Sequence, residues 1–512
     1  MMRLKRRVQA ASVGSRTYPA PFGGWNARDE ITSLQPGEAS ALVNWFPDES
    51  TVEARGGYDE HATGLGGNVE SLMPYHDGST DKLLAAANGN IYEAGGSGAV
   101  GAALASSLGS SRFQHVNFGT AGGQYLVMCN GEDAVRYYNG TAITTTISGT
   151  AITGTGLTNS DLIHVNSFKR RLFFCEKDTL RFWYLAVNSL TGTASSFDLG
   201  GLCRRGGFLM AMATWTRDGG DGIDDLAVFI TSRGELIVYQ GTDPGSASSW
   251  SMVGRFDVGA PIGRRCFLRY GGELIIITQD GFVPISPLLA NARTDERLAI
   301  SSRISGAVTE QIIANSGRDG WEAIIYPRGN YVLFNIPQSS TKSIQYVMNT
   351  STGAWCSFSG MNAFSWAVYN DDLYFGGNGK TYKADQGYDD AGADIELYVT
   401  GAPQYFDHRG RQKRFTMVRP TFRTKGNLQP RIALRTDYKS VTAGSAPAFS
   451  GSSGTPWGSP WGSEWSNSDK IIQRWYPTSG YGYNAQIDMR FNTKTRVSWL
   501  STDWTYEMGG VL

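Results

Sequence analysis

The chain has 512 residues, 41% hydrophobic and 18% charged, which excludes a disordered polypeptide and exceeds what one ordinary core holds. Lys+Arg and Asp+Glu each total 46, so the formal net charge is zero. That argues against a sequence-reading DNA binder, which needs a basic excess against phosphates, but is compatible with a surface past which DNA slides. The 64 glycines and 12% aromatic residues favour β-structure with many tight turns.

In chain order, the basic start MMRLKRRVQAASVGSRT lacks the apolar run of a signal peptide and reads as a solvated arm. Residues 41–61, ALVNWFPDESTVEARGGYDEH, set Trp45 and Phe46 before a Pro47-Asp48 turn. A short strand follows and ends at Arg55-Gly56-Gly57-Tyr58, and no side chain there is an evident nucleophile or metal ligand. A recurring hairpin comes next: an apolar strand, a turn such as Asn-Gly, Asp-Gly or Arg-Gly, and a second strand. The apolar runs start at Leu83, Tyr125, Leu172, Leu226, Leu274, Tyr331 and Leu373, at intervals of 42, 47, 54, 48, 57 and 42 residues. One four-stranded propeller blade takes about 40–50 residues. Stacked blades bury the faces that a lone blade leaves open.

The expected fold is therefore all-β: a propeller of six or seven blades over residues 68–393 and a β-sandwich over 394–512. Residues 1–67 form an N-terminal arm and strands packing on the C-terminal domain or on a neighbour. An array of β-sandwiches is the alternative. Between Asp295 and Gly317, Ile304, Val308, Ile312 and Ile313 show helical spacing, which predicts a helix crossing between blades. In the C-terminal part, Trp457, Trp461 and Trp465 sit in a Gly/Ser/Pro-rich loop and read as interface anchors or as local packing.

Chemistry is sparse. The five cysteines (Cys129, Cys175, Cys203, Cys266 and Cys356) are scattered and read as small buried apolar residues of a reducing compartment. His61, His76, His115, His164 and His408 form no metal-spaced cluster. No glycine motif for phosphates and no nucleophile elbow occurs. The segment 217–229, RDGGDGIDDLAVF, is similar to the calcium loops of integrin-type propellers at Asp221, Gly222 and Asp225. Only one copy exists and calcium takes six to eight oxygens, so a plain acidic turn is the competing reading. The basic run DHRGRQKR offers Arg409, Arg411, Lys413 and Arg414 to phosphates or an acidic partner, or to solvent. No catalysis or cofactor is expected, since no nucleophile–base or metal constellation is visible, and no membrane span, since no run approaches about 18 apolar residues.

Four stretches carry a resemblance: residues 21–58, PFGGWNARDEITSLQPGEASALVNWFPDESTVEARGGY; residues 234–265, GELIVYQGTDPGSASSWSMVGRFDVGAPIGRR; residues 271–286, GGELIIITQDGFVPIS; and residues 300–312, ISSRISGAVTEQI. Together they resemble the tail nozzle family of short-tailed bacteriophages, also called tail tubular protein B or packaged-DNA stabilisation protein. The resemblance implies a homo-hexameric ring with propeller domains, below a head-to-tail adaptor ring and beside tail fibre or tailspike proteins. It implies a virion protein, assembled in the bacterial cytoplasm, whose lumen retains the genomic DNA and conducts it without sequence recognition. Trp25, Trp45, Phe46 and Tyr58 then become assembly contacts, and deleting residues 1–60 is expected to leave a soluble propeller unable to form rings. The alternative is a propeller enzyme or carbohydrate-binding lectin with its site at the mouth of the axis.

Overall fold

The computed structural model describes residues 13–216, 225–290, 299–439, 441, 443–448 and 469–509; Trp457, Trp461 and Trp465 lie outside them. The chain divides into two units. Unit 1 comprises residues 1–58, 347–360 and 386–512, and unit 2 comprises 59–346 and 361–385.

In unit 2, each of the seven apolar runs becomes the second strand of a run of antiparallel strands. These second strands are Asp81–Ala87, Gly123–Cys129, Arg171–Glu176, Asp225–Thr231, Glu273–Thr278, Tyr331–Pro337 and Asp372–Gly376, and they define blades 1 to 7. The first strands of blades 2 to 7 are Gln114–Thr120, Leu162–Phe168, Leu209–Thr216, Phe267–Tyr270, Glu322–Tyr326 and Ser365–Tyr369. Several neighbouring blades meet through these first strands, which places them innermost.

Aromatic and aliphatic side chains fill the gaps between blades. Tyr75 of blade 1 meets Tyr138 of blade 2 edge-on at 5.1 Å. Val127 and Tyr137 of blade 2 pack with Phe174 and Trp183 of blade 3. Phe182 of blade 3 stacks on Phe229 of blade 4 at 4.6 Å. Trp215 of blade 4 donates its indole N–H to the Gly272 carbonyl of blade 5 at 3.0 Å. Phe282 of blade 5 stacks on Phe334 of blade 6 at 3.9 Å. Asn335 of blade 6 donates to the Ala363 carbonyl at 3.2 Å, just before blade 7.

The ring closes through the long strand Tyr58–His76. Its first part pairs with Asn378–Ala384 of blade 7, and residues 69–76 pair with Asp81–Ala87 as the inner strand of blade 1. Gly64 (φ 86°) and Gly66 (φ 76°) let the strand turn between these two tasks. Leu65 and Val69 are fully buried against Leu83, Ala85, Ala367 and Tyr374. The propeller thus has seven blades, and its closure leaves few free edges.

The longest interval, between blades 5 and 6, holds the expected helix, observed at Ser305–Asn315. Ile304, Val308 and Ile312 are buried at four-residue spacing. Ile313 is 80% exposed and does not belong to that face, because one further residue turns it about 100° around the helix.

Unit 1 is a β-sandwich. One sheet holds seven strands, among them the twelve-residue pair Lys413–Thr424 and Val497–Met508. The other includes Glu38–Val43, Trp355–Phe358, Ile395–Gly401, Arg431–Thr436 and Ala485–Thr493. Strict alternation puts Trp504 and Tyr506 inside and leaves Asp503, Thr505 and Glu507 partly exposed. The N-terminal segment is woven through both sheets. Val13–Pro19 and Val52–Ala54 pair with Val497–Met508, and Glu38–Val43 pairs with Ile395–Gly401.

Trp45 is fully buried, 5.7 Å from Phe491 and 5.9 Å from Trp499. It is core of the sandwich, which corrects its assignment to an assembly contact: no surface of it is left for another subunit. Deleting residues 1–60 therefore removes core, not only an assembly arm.

Beside this core lies the buried guanidinium of Arg55. Its Nη1 and Nη2 donate to Asp390 Oδ1 and Oδ2 at 2.8 and 2.6 Å. The remaining donors reach Asn44 Oδ1 (2.9 Å), Gly56 O (2.9 Å) and Ser359 O (2.7 Å). The side chains are 1% and 9% exposed. Gly57 must lack a side chain here, since a Cβ would sit 1.9 Å from the Asp389 carbonyl oxygen. Removing one partner of such a buried pair costs about 3–5 kcal/mol, whereas replacing both with apolar residues costs far less. Asp390→Ala should therefore destabilise unit 1 by about 3–5 kcal/mol, and Arg55→Met with Asp390→Leu should recover much of that loss. Pulse proteolysis in a urea series, which separates the two units by their fragments, reads both variants. A loss below about 1 kcal/mol for Asp390→Ala would mean that the pair is not holding the sandwich.

Candidate functional site

Residues at the starts of the inner strands, and at the ends of the strands that follow them, converge at one end of the propeller axis. They line a cavity of about 410 Å³ to which all seven blades contribute. Its cations are Arg112, Lys177, Arg264 and Arg265, and its anions are Glu70, Glu132, Asp178 and Asp319. Phe208, Met210 and Phe364 add partly buried apolar surface.

Arg265 of blade 5 ties the ring together at the axis. Its Nη1 donates to Glu322 of blade 6 at 3.1 Å. Its Nη2 reaches the Glu70 carbonyl and Ser71 Oγ of blade 1, at 3.0 and 2.7 Å, and the Phe113 carbonyl beside blade 2, at 3.1 Å. Burial raises the Glu322 carboxyl above the usual carboxylate range, and Arg265 opposes that rise. One side chain thus links four of the seven blades.

Most of the other charges in the cavity are paired. Arg112 holds Glu70 at 2.9 Å and also pairs with Asp319, and Lys177 holds Glu132 at 2.8 Å. Arg264 differs. Its one acceptor among the described residues is the Asn130 carbonyl at 3.2 Å, and burial lowers its pKa. Among the described residues no group of three or more His, Cys, Asp or Glu side chains is arranged to hold a metal ion.

Asp225, half of the calcium-loop reading, lies in a strand of blade 4 and is 6% exposed. Its carboxylate accepts from Lys169 Nζ and from Thr216 Oγ1, each at 2.7 Å. The Asp225 carboxylate is thus already taken up by an ammonium and a hydroxyl, which tells against it as a metal ligand. Asp221 lies outside the described residues.

In unit 1 the basic run divides. Arg409, Arg411 and Arg414 are exposed; Arg409 stacks over Tyr405 at 4.1 Å, and Arg414 lies 3.7 Å from Glu507. Lys413 is fully buried, its Nζ donating to the carbonyls of His408, Arg411 and Tyr483 at 2.6, 2.9 and 2.9 Å. Burial pulls its pKa below the ordinary lysine range. It is a structural cation and not a partner contact, a correction that the alternation of its strand demands. Trp25, Phe46 and Tyr58 are partly buried; Trp25 donates to the Ser40 carbonyl at 3.1 Å.

Sequence reading missed the axial cluster because the hairpin pattern tracks second and third strands, while the cavity is built at the starts of first strands. The available signal was Arg264-Arg265 entering an apolar strand after Pro-Ile-Gly. The five cysteines are free; four are buried, and burial raises the Cys203 thiol to about 11 and the Cys266 thiol to about 12.

Two inner-strand histidines set a pH dependence. Burial lowers His115 to about 3, with Arg265 adding to the effect, and lowers His164 to about 4 against its 2.8 Å contact with the Met212 carbonyl. Both folded values lie below the unfolded value of 6.5, so the unfolded chain binds more protons in acid. Their contribution to stability is complete above pH 6.5 and is lost as pH falls from 6.5 toward 4 and then 3. His164→Gln should flatten the fall in stability between these limits by up to one proton's worth of slope, read as urea midpoints against pH. An identical slope in the variant would show that His164 is not held neutral in the folded chain.

No known family profile matches the chain, and no curated protein matches it. Among solved structures it is similar to the extracellular domain of a hybrid two-component system from B. thetaiotaomicron, at 15% identity and a TM-score of 0.42 over 69% of this chain. The match spans 46% of that bacterial chain, less than half of its length. It is also similar to BBS1N, solved in complex with ARL6DN and soaked with lead, at 9% identity and a TM-score of 0.39 over 66% of this chain and 99% of that one.

Proposed function

We propose that the chain is a structural virion protein, the nozzle subunit of a short-tailed phage, six copies of which form a ring below the head-to-tail adaptor. The reading rests on the resemblance carried by residues 21–58. One observation supports it most: that segment supplies strands to both sheets of the sandwich and its buried Arg55, so it is specified by architecture and not by chemistry. Arg265 spans the propeller axis and the cavity above it has the volume of a small-molecule site, so in this reading the genome runs between the six copies and not along a propeller axis. A neutral chain suits such a lumen, because basic walls would grip the phosphates and stall ejection.

Trp25, Phe46 and Tyr58, with the exposed Arg409, Arg411 and Arg414, are the surfaces proposed for neighbouring copies, the adaptor, and fibre or tailspike proteins. No catalysis is proposed. The axial cavity favours a second reading, a propeller enzyme or lectin, and turnover or sugar-specific precipitation would mark it. A ring needs two different patches per subunit, repeated around one axis. Light scattering and electron microscopy of the purified chain should show a homo-hexameric ring that docks on an adaptor. A monomer at every concentration, with no ring when the adaptor is added, would refute the proposal.

A further inference from the structure

We propose that the axial cavity of the propeller binds a small hydroxylated carboxylate, its carboxylate held by Arg264 and its hydroxyls by Asp178 and Gln114. This inference is independent of the ring reading, since it concerns the inside of one propeller. The cavity of about 410 Å³ lies within the ~300–1,000 Å³ usual for small-molecule sites.

Among the lining groups only some retain unused hydrogen-bonding capacity. Arg112, Arg265 and Lys177 are each held by carboxylates. Arg264 is a half-buried guanidinium whose one acceptor among the described residues is the Asn130 carbonyl at 3.2 Å. A guanidinium carries five N–H donors, and those that Arg264 presents to the cavity are open to a ligand. A carboxylate matches that planar fork with two parallel hydrogen bonds. A dianion such as phosphate fits less well, because Glu70, Glu132, Asp178 and Asp319 line the same space.

Two further groups face the cavity with no side-chain hydrogen bond or ion pair among the described residues: Asp178 on the turn after the second strand of blade 3, and Gln114 at the start of blade 2. Both accept hydrogen bonds from hydroxyls. The partly buried faces of Phe208, Met210 and Phe364 offer an apolar wall for the carbon skeleton. One anionic group, several hydroxyls and a compact apolar face describe a sugar acid or a similar hydroxy acid.

Isothermal titration of the full chain with D-glucuronate and D-galacturonate tests this, with glucose and inorganic phosphate as controls. Saturable binding of at least one uronate is expected, with glucose and phosphate at least tenfold weaker. Arg264→Gln should abolish that binding, while Arg264→Lys, which keeps the charge and protects the fold, should weaken it several-fold, as should Asp178→Asn. Melting curves establish that each variant is folded. The assignment is overturned if neither uronate binds saturably, if glucose or phosphate binds as tightly, or if folded Arg264→Lys and Asp178→Asn bind like the parent.

Discussion

The sandwich depends on one buried ion pair. Unit 1 is assembled from three separated stretches of chain, residues 1–58, 347–360 and 386–512. The Arg55 guanidinium is hydrogen-bonded to all three: to Asn44 and Gly56 in the first, Ser359 in the second and Asp390 in the third. Taking a guanidinium out of water is expensive unless every donor is met, and here all five are. The pair is thus better understood as a device of specificity than as a source of net stability. Any rearrangement of the three stretches leaves a buried charge unmatched. The glycine at position 57 completes the device by letting the backbone approach Asp389.

Arg265 meets a similar constraint in the propeller with the opposite outcome. Its guanidinium is shared among blades 1, 2, 5 and 6, paired with the Glu322 carboxyl and hydrogen-bonded to backbone carbonyls. Arg264, its neighbour in sequence, is left with one carbonyl. Two consecutive arginines therefore serve different ends: one locks the ring, and the other faces a cavity with donors to spare. Aromatic and aliphatic side chains together fill the gaps between blades, while the axial cavity is lined largely by polar and charged groups.

The fold was legible in the sequence to the extent that it is periodic. All seven apolar runs proved to be second strands, because those strands are buried on both faces and read as unbroken apolar segments. The helix was legible at Ile304, Val308 and Ile312 for the same reason, and misleading at Ile313, where an apolar residue simply faces out. Burial of individual charged or aromatic groups was not legible. Lys413 sits in a basic run that looks solvated, yet it points inward onto three carbonyls. Trp45 looks like an exposed anchor in a polar segment, yet its partners, Phe491 and Trp499, lie more than four hundred residues away. Such contacts are set by strand pairing across the whole chain, and no local pattern encodes them. Arg55 was visible only as an arginine before two glycines.

The distinctive N-terminal stretch is structural core, held by Arg55 and Trp45, and not a detachable arm. Native-state hydrogen exchange measures this directly. Backbone amides of residues 38–58 should exchange as slowly as those of Val497–Met508 and be released in the same cooperative opening. Exchange of residues 38–58 in a separate, much faster opening, with Val497–Met508 still protected, would contradict it.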